Sequence, residues 1–369
     1  MSERFNHGGD VEGMADGLGV RTEDILDFSA NINPYGPPDG WLEIATQALR
    51  QVAHYPDPHA RDLVAAIAGR HGLDRAGVVV ANGASEALDA VMRAFSKKGP
   101  GRAAVVPVPC YSDYARAAAK AGCEVRPFAL RADNRFAPDM DAILAAAPKG
   151  GCVVLGRPNN PTGIDPGVDS VAAAAAKRPD LDFLVDESFL DFIPGAASAA
   201  DAGLENIVVA KSLTKFYSIP ALRVGFAAAA PEIAARVRTE LPCWPVNAVA
   251  MRVAGHALRD AAFAASSIER IGRERERFAA LLRDLPGLDV FPGTANFLLL
   301  RLRPPAAGDA HRLARTLLHR HRIAIRTYFP EEHLDAAFFR VAVRRPEDDD
   351  RLVAALREAN AGSGEDRLR

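Results

Sequence analysis

Between about residues 45 and 230, short apolar runs recur with helix-period stretches between them, and that alternation constrains the fold most. The runs are 77-GVVVA-81, 103-AAVVPV-108, 151-GCVVLG-156, 182-DFLVDE-187, 206-NIVVAK-211 and 223-RVGFAAA-229. Their separators are Ala-rich, as in 84-ASEALDAVMRAF-95 and 168-VDSVAAAAAKR-178. Strands without polar alternation have no solvated face, so these belong in a mostly parallel sheet covered by helices on both sides. Ligands of such α/β sheets bind beyond the carboxyl ends of the strands. Functional residues are therefore expected just after these runs.

After residue 230 the texture changes. A charged helical stretch over 258–285 precedes strand candidates at 296-NFLLLRL-302, 322-RIAIR-326 and 338-FFRVAV-343, with helical patterns at 308–320 and 346–360. This is the pattern of a smaller α+β domain. At 369 residues the chain exceeds what one core serves. We expect an N-terminal arm (1–40) that contributes to the small domain and the site, a large domain (41–250) and a small C-terminal domain (251–369).

A net charge of -2 offers no basic excess, so neither nucleic acid nor an anionic membrane is an expected partner. The polar opening MSERFNHGGD lacks the apolar stretch of a secretion signal, and runs such as 171-VAAAAA-176 are too short to span a bilayer. Cys110, Cys123, Cys152 and Cys243 are scattered and form no CxxC pair, so no metal site is expected. A reducing, cytoplasmic setting suits them.

The chemistry concentrates in 211-KSLTKFYSIPALRVGF-226. Lys215 follows an apolar strand, with a hydroxyl at Ser212 before it and a guanidinium at Arg223 after it. Such a trio suits a phosphorylated aldehyde cofactor: the amine takes the aldehyde, and the hydroxyl and guanidinium hold the phosphate. Solvated surface residues could produce the same spacing, so the segment alone leaves both possibilities open. Three further elements favour the cofactor. In 185-VDES-188, Asp186 ends a strand and could pair with a pyridine nitrogen. In 158-PNNPTG-163, Asn160 could bond a ring hydroxyl, although the segment is also simply a turn. In 82-NGASEAL-88, the amides of Ala84 and Ser85 open a helix and could bind phosphate.

In this order the motifs resemble the fold-type I, pyridoxal-phosphate-dependent enzymes of the class I/II aminotransferase family, over nearly the whole chain. The resemblance implies an α/β fold with a large, mostly parallel sheet domain and a smaller α+β domain. It implies pyridoxal 5'-phosphate as cofactor, with Lys215 as its Schiff-base lysine. Tyr111, in 109-PCYSDY-114, matches the aromatic residue stacked on the pyridine ring. Tyr55, in 54-HYPDP-58, matches the tyrosine that reaches the cofactor phosphate of a neighbouring subunit, so a homodimer is implied. Arg340, in 339-FRVAV-343, matches the arginine that holds a substrate carboxylate.

Within that family the segments 6-NHGGD-10 and 26-LDFSANINPYGPP-38 resemble the threonine-phosphate decarboxylases of cobalamin biosynthesis. So do 185-VDESFLDF-192 and 244-WPVNAVA-250. The likeness implies that His7, Gly8, Asn31, Asn160, Arg326 and Arg340 contact a small phosphorylated amino acid. Phe189 stands where aminotransferases usually carry a tyrosine that bonds the ring hydroxyl, which favours the decarboxylases. Histidinol-phosphate aminotransferases share PNNPTG, the YPDP tyrosine and a phosphorylated substrate, and they are the rival reading. Phosphoserine or an amino phosphonate is a third possibility. A regulator that merely binds the cofactor would lack catalytic groups or carry a DNA-binding extension, whereas Lys215, Asp186 and Asn160 are all present.

Overall fold

The structure, a computed structural model, describes residues 8–303 and 309–362. Its strands are β1 (Leu26–Asp27), β2 (Val78–Ala81), β3 (Ala103–Val108), β4 (Glu124–Ala129), β5 (Cys152–Gly156), β6 (Asp182–Asp186) and β7 (Ile207–Ser212). They continue as β8 (Gly225–Ala228), β9 (Leu288–Val290), β10 (Phe297–Leu302), β11 (Ile323–Ala324), β12 (Arg326–Thr327) and β13 (Phe338–Ala342). The chain divides into two compact units. One is drawn from 1–34, 161–163 and 270–369, the other from 35–160 and 164–269.

The second unit holds a seven-stranded sheet in the order β2-β8-β7-β6-β5-β3-β4. The pairs from β4 through β7 are parallel, while β8 runs antiparallel to both β7 and β2. Every residue of β3, β5, β6 and β7 is buried, which explains their unbroken apolar runs. The helix Ala84–Ser96 buries Ala87, Leu88, Val91, Met92 and Phe95 in the same core as β3, β5 and β6. Fully burying each large side chain contributes about 1.5–3 kcal/mol. At the amino-terminal edge of the sheet, Arg102 donates to the carbonyls of Phe95, Gly150 and Gly151 and pairs with Asp182 at 2.7 Å.

Register places the other edge. Gly225, which starts β8, lies opposite Ser212 of β7 and also opposite Ala81 of β2. Gly156 lies opposite Asp186. The carboxyl ends of β2, β5, β6 and β7 and the start of β8 therefore share one edge.

The first unit contains the antiparallel sheet β12-β13-β10-β9 and the parallel pair β1–β11. Alternate residues of β10 and β13, such as Leu298, Leu300, Phe339 and Val341, enter its core with Phe28, Phe278 and Leu282. The expected strand 322–326 is divided: β11 pairs with β1, and β12 pairs with β13. The expected helix 308–320 is Ala310–Thr316 followed by a π turn, Leu317–His321. Among the described residues no helix is long and apolar enough to cross a membrane.

Candidate active site

In the second unit the cofactor candidates gather along the shared edge. Asp186 ends β6 and is buried; its Oδ2 accepts from the Tyr114 hydroxyl at 2.8 Å, and its Oδ1 accepts from the Ser188 amide at 2.9 Å. Burial pushes its carboxyl pKa up, and the donors from Ser188 and Tyr114 and the charge of Lys215 pull it back. The carboxylate therefore sits in a dry place where a further cation would be welcome. Lys215 is half-buried in the short helix Leu213–Phe216, which Ser212 caps by accepting from the Thr214 amide. The Ser212 hydroxyl also lies 2.7 Å from that of Thr214.

Gly83, Arg223 and Gly225 explain how a guanidinium reaches a helix start. A Cβ on Gly83 would stand 2.6 Å from an Arg223 terminal nitrogen, and one on Gly225 would stand 2.7 Å from the Ala84 amide nitrogen. Both glycines are bare so that Arg223 and β8 can lie against the first turn of helix Ala84–Ser96. The amides of Ala84 and Ser85 belong to that first turn, where N–H groups have no intrahelical acceptor. The Ser85 hydroxyl is committed elsewhere, donating to Asp113 Oδ2 at 3.0 Å. Tyr111 donates to the same oxygen at 2.8 Å. Asn160 follows β5 beside Asn159, whose amide donates to the Pro109 carbonyl at 2.9 Å. Phe189 is buried just past Asp186.

Tyr55 lies apart from this cluster. It is 81% exposed and stacks on Trp244, with centroids 4.6 Å apart. Leu42, Leu49 and Val52 are exposed as well.

The substrate candidates lie in the first unit. Arg326 and Arg340 face each other as partners across the β12–β13 ladder. Arg340 is buried, donates to the Ser29 carbonyl at 2.5 Å and lies over the Phe297 ring. Burial draws its pKa down. Arg326 donates to Glu332 and to the Thr327 carbonyl, with its guanidinium 4.8 Å from the Tyr328 ring centre. Asn31 is buried, and its Oδ1 has no hydrogen-bond partner among the described residues. Gly8 packs so tightly on Ser29 that a Cβ would stand 2.1 Å from the Ser29 carbonyl oxygen. The neighbouring Gly9 amide donates to Ser29 Oγ at 2.8 Å. His7 lies outside the described residues.

Sequence reasoning passed over Asp113, Tyr114, Ser188, Gly83, Tyr328 and Glu332. Asp113 and Tyr114 stand within the quoted PCYSDY segment, but their partners lie as far as 72 positions away. Spacing along the chain carries no sign of such pairs.

The donor set of the second unit fits pyridoxal phosphate. It offers an amine, a buried carboxylate for a ring nitrogen, an aromatic face, and a phosphate cradle of helix amides, guanidinium and hydroxyl.

Comparisons with known proteins agree. The family model for class I and II aminotransferases matches residues 23–356. A threonine-phosphate decarboxylase of Salmonella typhimurium is 37% identical over 362 residues, 96% of this chain and 97% of its own. A histidinol-phosphate aminotransferase of Roseiflexus castenholzii is 32% identical over 357 residues, 94% of this chain and 93% of its own. The solved structure of an L-threonine-O-3-phosphate decarboxylase from Porphyromonas gingivalis has a TM-score of 0.80 to this chain at 26% identity. The match covers 91% of this chain and 100% of that one.

Proposed function

Because the chain belongs to the class I and II aminotransferase family, whose members depend on pyridoxal phosphate, we propose that it decarboxylates O-phospho-L-threonine. The product would be (R)-1-aminopropan-2-yl phosphate, a building block for cobalamin biosynthesis. The observation that carries the proposal is the facing pair Arg326 and Arg340, two guanidinium forks for a substrate with two anions, a phosphate and a carboxylate. The similarity to the Salmonella decarboxylase supports it.

The residues divide the work. Arg223, Ser212 and the amides of Ala84 and Ser85 hold the cofactor phosphate, Tyr111 covers the ring, and Asn160 bonds the ring hydroxyl. Asp186 keeps the ring nitrogen protonated. When bound, the cofactor would supply an electron sink for the bond that breaks. Arg340 on the carboxylate and Arg326 on the phosphate would decide which bond that is, by orienting the substrate. Lys215 Nζ would then return a proton to Cα, for which it must carry that proton as an ammonium. Phe189 contributes no hydroxyl to the ring. His7, Gly8 and Asn31 complete the substrate contacts. Tyr55 serves the partner subunit of a homodimer.

One experiment separates this from the rival. The purified holoenzyme should be yellow, Lys215→Ala should lose the colour, and O-phospho-L-threonine should release carbon dioxide with no keto acid present. The Roseiflexus relative supports the second reading, amino transfer from histidinol phosphate. Turnover that requires 2-oxoglutarate would replace decarboxylation with that reading. Carbon dioxide release from phosphoserine or an amino phosphonate in preference would keep the chemistry and change the substrate.

A further inference from the structure

Tyr328 follows the end of β12, close to the facing pair Arg326 and Arg340, whose charges both act on its phenol. Tyr328 is 5% exposed, and its hydroxyl is buried with no hydrogen-bond partner among the described residues. Its ring supports Arg326 at 4.8 Å. A phenylalanine would supply that ring without burying an unsatisfied hydroxyl, so the oxygen calls for a separate account.

The charged neighbours of the phenol supply it. Arg340, Arg326 and Glu332 are the groups whose charges act on it. A guanidinium only donates, so neither arginine can accept the phenolic proton. Glu332 is occupied: one oxygen takes Arg326 and the other takes the Phe329 amide at 3.1 Å. Burial holds the phenol in its protonated, donating form. What is missing is an oxygen acceptor, and an acceptor that enters beside two guanidiniums carries negative charge.

Resting on the role given above to Arg326 and Arg340, we propose that the Tyr328 hydroxyl donates to the phosphate of the substrate, alongside Arg326. A carboxylate has two oxygens, which a single arginine fork satisfies in full. A phosphomonoester has three terminal oxygens and can accept from the fork and the phenol together. Tyr328 thus makes the Arg326 side of this pair the phosphate side, and Arg340 takes the carboxylate. The hydroxyl acts on binding and selectivity, not on the bond that breaks.

The test is Tyr328→Phe in the holoenzyme, beside Arg326→Lys, with O-phospho-L-threonine and inorganic phosphate as probes. Tyr328→Phe should raise the KM for O-phospho-L-threonine and the Ki for inorganic phosphate about tenfold, roughly 1.4 kcal/mol. It should leave kcat and cofactor loading unchanged and should not lower the Tm. Unchanged phosphate binding in Tyr328→Phe, with weakened binding in Arg326→Lys, overturns the role of Tyr328 alone. Unchanged phosphate binding in both variants overturns the reading of the arginines on which it rests. A lower Tm in Tyr328→Phe shows that the hydroxyl has a partner in the fold, and this too sinks the proposal.

Discussion

Asp186 sits at a strand end, and its charge depends on a partner that no motif announces. Its carboxylate would balance the ring nitrogen of the cofactor, yet burial alone drives it toward the neutral acid. The Tyr114 hydroxyl, 2.8 Å from Oδ2, is one of the donors that oppose this. Tyr114→Phe removes that donor and lets the Asp186 pKa climb further. We expect cofactor affinity to fall about tenfold, since a hydrogen bond to a charged group contributes about 1.5–3 kcal/mol. Titration of the apoprotein with pyridoxal phosphate measures it, and an unchanged Kd would remove Tyr114 from the account. Gly83 makes the complementary case. Its φ of +83° is one that L side chains rarely adopt, and a methyl there would meet Arg223. Gly83→Ala should lower the affinity for pyridoxal phosphate by at least about tenfold, the cost of a displaced charge-assisted contact. The apoprotein should lose only the roughly 1–3 kcal/mol of a strained backbone. A loss of stability with an unchanged Kd for pyridoxal phosphate would mean that the glycine serves the fold alone. Lys215, Asp186 and Arg223 were legible because strand ends and S-x-x-K-x7-R spacing are local. The Tyr114 and Gly83 contacts are tertiary, and nothing local announces them.

The elements were legible where burial was complete on both faces. The runs at 103–108, 151–156, 182–187 and 206–211 became strands with every residue buried, because only a covered parallel strand needs such a sequence. Strand β4, EVRPFA, was not foreseen: it lies at an edge of the sheet and its residues are mostly exposed, so it lacks the unbroken apolar run of the covered strands. Strands β1, β11 and β12 have two residues each, too few for any period to show. Between helices Ala261–Arg283 and Pro346–Gly362 lies a contact with a pH signature. Asp349 is buried against Glu274, and burial together with that second carboxylate raises its pKa to about 9. Glu274 in turn accepts from Arg277 at 2.7 Å. A folded-state pKa above the unfolded value of 3.8 means that the native chain keeps a proton which the unfolded chain has lost. The contribution is complete below about pH 4 and drains away as pH rises toward 9, by a few kcal/mol at most in a polarisable pair. Thermal melting of the apoprotein should show Tm falling over that range, and Asp349→Asn, which keeps a donor toward Glu274, should flatten the curve. Parallel curves for the two proteins would exclude a shared proton.

For the whole molecule, the open question is how many chains make one active centre. Tyr55 is the feature that raises it, because a tyrosine 81% exposed and stacked on Trp244 has no part in the Asp186 cluster of its own second unit. Leu42, Leu49 and Val52 expose further apolar surface. If a homodimer places Tyr55 in the partner's site, each centre takes Lys215 from one chain and Tyr55 from the other. That arrangement predicts rescue between two dead proteins. Lys215→Ala homodimers and Tyr55→Ala homodimers should each be inactive or nearly so. Unfolded together, mixed equally and refolded, half of the dimers would carry one variant of each kind. In such a hybrid both lesions fall in one centre and the other centre is intact, so about a quarter of wild-type activity should return under two-fold symmetry. Sedimentation should find a dimer in every sample, because a single exposed aromatic accounts for little of an interface of about 1,600 Å². A chain whose site draws on Tyr55 from within the same subunit gives no rescue at any mixing ratio, because every centre would then contain one lesion.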